Sequence, residues 1–333
     1  MSTPNASVEA RTSRFPAQAR WRAIGRFISG YGIVLSLVIM VVFLAFASES
    51  FLSVVNLMNI FRQVSINGIM AMGMTFVILT AGIDLSIGST LAIAGVVAGR
   101  LVIGDHPLPP ILATLAGILT GSLFGAVNGA LIARLRVPPF VATLGMMSMA
   151  RGATLLYSGG RPTPELSADF LWLGQGFLLG IPVPVVVFAA VFLFSWIVLR
   201  FTVYGRWVYA VGGNPRSAKT SGINVDAVVF SVYVVMGALA GLAGPILASR
   251  TTTALPQAGL GYELDAIAAV VIGGTSLTGG VGSVANTLIG TLIIGVMNNG
   301  LDLMGVSSYY QQIVKGAIIV VAVLIDHSRR KNP

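Results

Sequence analysis

Residues 213–220 read GNPRSAKT, one letter away from the phosphate-cradling pattern G-x-x-x-x-G-K-[ST]. A phosphate loop needs an apolar strand before it, a glycine where Ala218 stands, free backbone N–H groups along the cradle and an acidic partner ending a second strand. None of these is present: Pro215 has no N–H to donate, residues 204–211 directly follow a long apolar run, and no acidic strand end occurs elsewhere. As a helix the same letters are consistent. Asn214 suits the N-cap, Pro215 the first helical position and Gly222 the place just past the end, leaving about two turns between them. Acid–base chemistry finds no better footing. Glu263 and Asp265 sit two apart, which on a helix turns their carboxylates about 200° away from each other, and Asp84 lies alone in GIDLS. Charge at a helix N-terminus or gating contacts are simpler roles for them. No G-x-S-x-G or H-E-x-x-H occurs, there is no cysteine, and His106 and His327 fall in a loop and a tail. Neither an enzymatic centre nor a metal site is expected.

The elements that must position these residues are membrane helices. Of 333 residues 55% are hydrophobic and only 9% charged, and the mean hydropathy is +0.88, beyond what a soluble domain carries. A bilayer core about 30 Å thick needs roughly 20 apolar residues per crossing helix. Apolar runs of that kind predict ten crossings, at about 31–48, 64–81, 87–104, 111–133, 140–157, 183–200, 227–248, 264–277, 284–300 and 310–326. Alternation with period two is absent, which favours helices over a barrel. The eighth run is short and breaks at Gly273, Gly274, Gly279, Gly280 and Gly282, so a half-crossing or discontinuous helix is an alternative there. The chain reads as an all-α polytopic membrane protein: a basic, disordered tail over 1–29, a transmembrane domain over 30–327 and a short tail over 328–333. Ala45-Phe46-Ala47 resembles a signal-peptidase site, but the apolar stretch before it is long and more helices follow, so an uncleaved first helix is expected.

Lys and Arg collect on the cytoplasmic side of membrane proteins. Arg11, Arg14, Arg20, Arg22 and Arg26 precede the first run, Arg134 and Arg136 follow the fourth, Arg200, Arg206, Arg216 and Lys219 follow the sixth, and Arg329, Arg330 and Lys331 end the chain. Only Arg62, Arg100, Arg161 and Arg250 fall on the other side. Both termini are therefore expected in the cytoplasm, and the net charge of +9 is a topology signal rather than a sign of nucleic-acid binding. The short cationic helix then faces the cytoplasm, either as a solvated interfacial helix or as a docking element for a cytoplasmic partner. Gly117, Gly121, Gly125 and Gly129, and also Gly237, Gly241 and Gly244, recur at spacings that bring helix backbones close together.

A neutral polar solute would need weak, dispersed hydrogen-bonding groups along its route, because tight binding hinders release. Asn67, Thr75, Asn298, Asn299, Gln311 and Gln312 fit this need, and each can equally join helices to one another. Arg151 near mid-membrane suggests a water-filled route or a buried partner, whereas Lys315 is close enough to a helix start to snorkel. Every Asp and Glu maps to a loop, a tail or a helix end, which disfavours proton coupling. An ion-coupled carrier or channel using backbone carbonyls stays open as the alternative.

Four stretches, GMTFVILTAGIDLSIGS (73–89), GRWVYAVGGNPRSAKTSGI (205–223), GYELDAIAAVVIGGTSLTGGVGS (261–283) and NNGLDLMGVSSYYQQIVKG (298–316), resemble the permease subunits of ribose-type bacterial ABC sugar importers. The resemblance covers the chain from about residue 30. It implies an inner-membrane permease that moves a monosaccharide as a pair of identical copies. The partners implied are a cytoplasmic ATPase subunit with two nucleotide-binding halves, which uses ATP and Mg, and a periplasmic or lipid-anchored sugar-binding protein. This chain itself would bind no cofactor. By the same resemblance, residues 205–223 form the coupling segment, with Gly213, Asn214, Pro215, Ala218, Lys219 and Gly222 at the ATPase.

Overall fold

The computed structural model describes residues 17–331. In chain order the elements are α1 (Ala17–Ala47), α2 (Val54–Leu79), α3 (Ile87–Leu101), α4 (Pro110–Ala133), α5 (Pro139–Ser158), α6 (Ala168–Gln175), β1 (Phe177–Leu178), β2 (Ile181–Pro182), α7 (Val183–Phe201), α8 (Val203–Gly213), α9 (Pro215–Thr220), α10 (Val225–Arg250), α11 (Tyr262–Ile272), α12 (Val284–Leu303) and α13 (Ser308–Lys331). The two strands form only a small antiparallel hairpin, so the fold is all-α as expected. Among the described residues five helices, α2, α4, α7, α10 and α12, are long and apolar enough by themselves to cross a membrane.

Local sequence explains most boundaries. Ser53 caps α2 by accepting from the Asn56 N–H at 3.3 Å, and α4 and α5 begin on Pro110 and Pro139, where a missing N–H costs nothing. The α5 helix stops at Gly159 in the left-handed conformation (φ 64°). At the centre, α10 packs against α2, α3, α4 and α6, while α2 also meets α7, α11 and α12. The glycine spacing has its expected effect between α4 and α10. A Cβ on Gly121 would overlap the backbone of Gly237 and Gly241, and one on Gly125 would overlap Tyr233 O. Gly244 departs from the expected stripe, because it faces Leu91 and Gly95 of α3. The small residues of α10 therefore wedge it between two helices, and Pro245 lies inside the helix against Gly117.

Several boundaries differ from the hydropathy reading. α2 starts at Val54, ten residues early, because a helical stretch interrupted by Asn56, Asn59, Arg62 and Gln63 precedes the apolar run; Arg62 is thus a helix residue. α1 extends back to Ala17, into the segment read as a tail, whose residues 1–16 lie outside the described ones. The short α6, the hairpin and α8 lack an 18-residue apolar window and escape a scan for crossings. α11 is only 11 residues long, ended by Gly273 and Gly274.

Candidate coupling face and polar interior

Asn214 divides α8 from α9. Its N–H still closes α8 onto Ala210 O at 3.0 Å, while its Oδ1 accepts from the N–H groups of Arg216 and Ser217, both at 3.0 Å. Two of the orphan donors at the start of α9 are thereby satisfied, and Pro215 at the first position has none to satisfy. At the other end Gly222 takes φ 84°, and the Ile223 N–H returns to Ala218 O at 3.1 Å. Six residues can hold a helix here because both ends are tied. Ala218 is buried beneath it, whereas Arg216 and Lys219 are exposed. Beside them Arg136, Asn224 and Asp226 help line a cavity of about 310 Å³. Arg136 and Asp226 pair at 2.9 Å, but both are exposed and the pair contributes little stability.

The residues just before α9 are in backbone contact with the membrane helices. Gly280 N–H donates to Leu79 O, at the end of α2, at 2.9 Å. A Cβ on Gly212 would overlap that same carbonyl, and one on Gly279 would come within 2.8 Å of Ala81 N. The Tyr209 hydroxyl donates to Gly282 O at 3.0 Å; burial pushes its pKa up, partly opposed by the nearby Arg200. The end of α8, the end of α2 and the glycine loop between α11 and α12 thus meet at van der Waals distance, with side chains removed to allow it. The glycines that made the eighth crossing look broken are what permits this junction.

The polar candidates separate into groups. Thr75 bonds Thr287 hydroxyl to hydroxyl at 3.0 Å, and Asn299 exchanges two amide bonds with Asn56, at 2.8 and 3.0 Å. Gln311 donates to Asp302 at 2.7 Å and to Val306 O at 3.0 Å. Thr75 and Asn299 therefore fasten helices, and Gln311 fastens the start of α13 to the end of α12. Gln312 is exposed. Asn67 Oδ1 and Asn298 Oδ1 are buried without a hydrogen-bond partner among the described residues. The Arg151 guanidinium reaches backbone, with Nη1 donating to Pro256 O at 2.6 Å and Ala258 O at 3.0 Å in a half-buried setting.

Lys315 does not snorkel. Its Nζ lies 2.9 and 3.0 Å from the two carboxylate oxygens of Asp265, which is 3% exposed and also receives Asn298 Nδ2 at 3.3 Å. Position along the helix allowed snorkelling, but a buried counter-charge on α11 outcompetes the route to water. Asp84 is buried as well, accepting from Ser86 N and Oγ at 2.9 and 2.6 Å, with Asn128 donating to that hydroxyl. Both carboxylates do sit in a turn or at a helix end, yet neither is solvated. Sequence reasoning missed Asn56, Asn128 and Thr287, whose only signal is a polar letter in an apolar run.

A family model described as branched-chain amino acid transport system / permease component matches residues 56–323. The ribose import permease protein RbsC of Haemophilus influenzae is 47% identical over 308 residues, 91% of this chain and 95% of its own length. The chain belongs to the permease family of ribose-type ABC importers. The permease is accordingly a multi-pass protein of the bacterial inner membrane. RbsC of Bacillus subtilis is 49% identical, covering 90% of the permease and 92% of itself, and the D-allose transport system permease protein AlsC of Escherichia coli is 40% identical, covering 90% and 92%. No solved structure matches. Membership of this family sets aside the ion-coupled carrier or channel.

Proposed function

We propose that the permease carries a monosaccharide inward as a homodimer. A cytoplasmic ATPase subunit with two nucleotide-binding halves uses ATP and Mg beneath it, and a periplasmic or lipid-anchored sugar-binding protein delivers the sugar from above. The chain itself holds no cofactor and catalyses nothing. Relatives named for ribose and for D-allose support a monosaccharide cargo. In this reading ten segments cross the bilayer, α1 to α5, α7 and α10 to α13, with both termini cytoplasmic. At about 1.5 Å per residue α11 is too short to cross alone. Its continuation over 273–283 supports a complete crossing, because it meets Leu79 and Gly212 beside α9 while the start of α11 lies near the loop that Arg151 holds.

The observation that carries the reading is the doubly capped α9, with Lys219 and Arg216 outward and its preceding residues wedged against α2 and the glycine loop. Gly213, Asn214, Pro215, Lys219 and Gly222 form the surface that engages the ATPase, and Ala218, expected there too, is instead buried and seats the helix from below. Closure of the ATPase halves moves α9, and a lever that stays folded passes the displacement on to close-packed helices. The cap and the proline resist fraying by about 1 kcal/mol each. Asn67 and Asn298, with free amide oxygens, are the best-placed groups to touch sugar hydroxyls weakly. Replacing Asn214 and Pro215 together by Gly should lower sugar uptake in proteoliposomes while the complex still hydrolyses ATP and the permease keeps its melting temperature. Unchanged uptake would refute the lever.

A further inference from the structure

The hairpin between α6 and α7 puts apolar side chains in the open. Phe177, Leu178 and Ile181 are about half exposed, and Leu179 at the tip is 97% exposed. Leu179 takes φ 52° and Gly180 φ 80°, the pair of left-handed conformations of a tight two-residue hairpin turn. Leucine is a poor residue for that backbone, where Asn or Asp would normally stand. A side chain that is both conformationally disfavoured and stripped of contacts calls for an environment outside the chain.

The base of the hairpin, in contrast, is tied down. Arg62 of α2 donates from Nη2 to Gln175 O at 2.9 Å and stacks its guanidinium 4.9 Å from the Phe177 ring centre. Gly174 N–H donates to Ser249 Oγ of α10 at 2.6 Å. Only the tip is unattached. Its height follows from α7: 19 residues at about 1.5 Å each span about 28 Å, close to the hydrocarbon thickness of a bilayer. α7 leads directly into α8 and α9 at one end and begins immediately after the hairpin at the other. The tip therefore lies at the boundary of the opposite leaflet, separated by the buried first turns of α7 from the lower half of that helix, where Leu193, Phe194 and Ile197 are exposed. No charged residue occurs between Asp169 and Arg200, so the turn itself carries no charge and Arg62 lies only at its base, and half-exposed Trp172 nearby is the aromatic type that favours the headgroup level.

We propose that residues 177–181 insert into the headgroup–acyl boundary of the leaflet opposite the coupling face. Through Arg62 and Ser249 they hold the outer ends of α2 and α10 at a fixed depth. The proposal rests on the crossing of α7 put forward above. The chain has no cysteine, so Leu179→Cys carries a single environment-sensitive fluorophore (NBD) without background. In phosphatidylcholine–phosphatidylglycerol vesicles its emission should be blue-shifted. A doxyl group near the headgroup should quench it more strongly than one deep in the acyl chain, and the purified sugar-binding protein should leave it unchanged. Leu178→Cys, away from the strained tip, should report the same ranking if the first variant folds poorly. Water-like emission quenched by iodide would overturn the proposal, as would a change seen only with the binding protein, or efficient disulfide formation between two Leu179→Cys copies. An impermeant maleimide on Asp169→Cys and on Lys219→Cys tests the crossing separately: labelling from opposite sides is expected, and labelling from the same side would overturn the assignment to the opposite leaflet whatever the fluorophore reports.

Discussion

Removing one charge of the Asp265–Lys315 pair should be the most costly single polar change in the permease. Nζ and the carboxylate oxygens are 2.9 to 3.0 Å apart, with the side chains 18% and 3% exposed. At an effective dielectric near 20 that separation corresponds to an attraction of about 6 kcal/mol, which is set against the cost of taking both ions out of water. The pair as a whole is thus worth little, whereas a lone survivor is not. Lys315→Met leaves the Asp265 carboxylate with only the longer bond from Asn298, at 3.3 Å, and truncations of this kind cost about 3–5 kcal/mol. For a chain of this size the loss should lower the melting temperature in detergent by roughly 5–10 °C. Asp265→Asn should cost less, because an amide needs no counter-ion and Lys315 can still reach water. The double variant Asp265→Leu with Lys315→Met should recover most of the loss, since no buried charge remains. If Lys315→Met melts with the unaltered protein, or if the double variant is no better than the worse single one, the pair is not buried in the membrane domain as the structure has it.

Gly212→Ala should reduce both stability and uptake, because its methyl overlaps Leu79 O, while Gly213→Ala, with open space at its Cβ, should leave the melting temperature unchanged; paired melting and uptake measurements separate them. Asn299→Ala leaves Asn56 Oδ1 without its donor, while Nδ2 keeps its bond to Phe51 O, and should cost about 1–3 kcal/mol, visible as a lower melting temperature that the double Asn56→Ala, Asn299→Ala partly restores. Gln311→Ala should destabilise through loss of its bonds to Asp302 and Val306, whereas Gln312→Ala should not, and equal melting of the two would remove the distinction. Gly121→Leu should separate α4 from α10 and cost about 1–3 kcal/mol or more, read by thermal unfolding.

Composition and the spacing of apolar runs were enough to establish a helical membrane protein, and local cap chemistry was enough to place α9, because Asn, Pro and Gly act within a turn of where they stand. The glycine period of α4 likewise announced a close helix contact, since a missing Cβ is informative wherever it falls. Partners across the fold were not legible. Asn299 could line a route or meet Asn56, 243 residues away; Lys315 could snorkel or meet Asp265; Gly244 could face α4 or α3. Nothing local chooses between such outcomes. In a membrane interior a polar side chain is compelled to find a partner, but which one it finds depends on how the helices cross. The break at Gly273 to Gly282 was visible as a break, and only the packed structure turns it into a junction with Leu79 and Gly212, where three backbones meet because none of the glycines there carries a side chain.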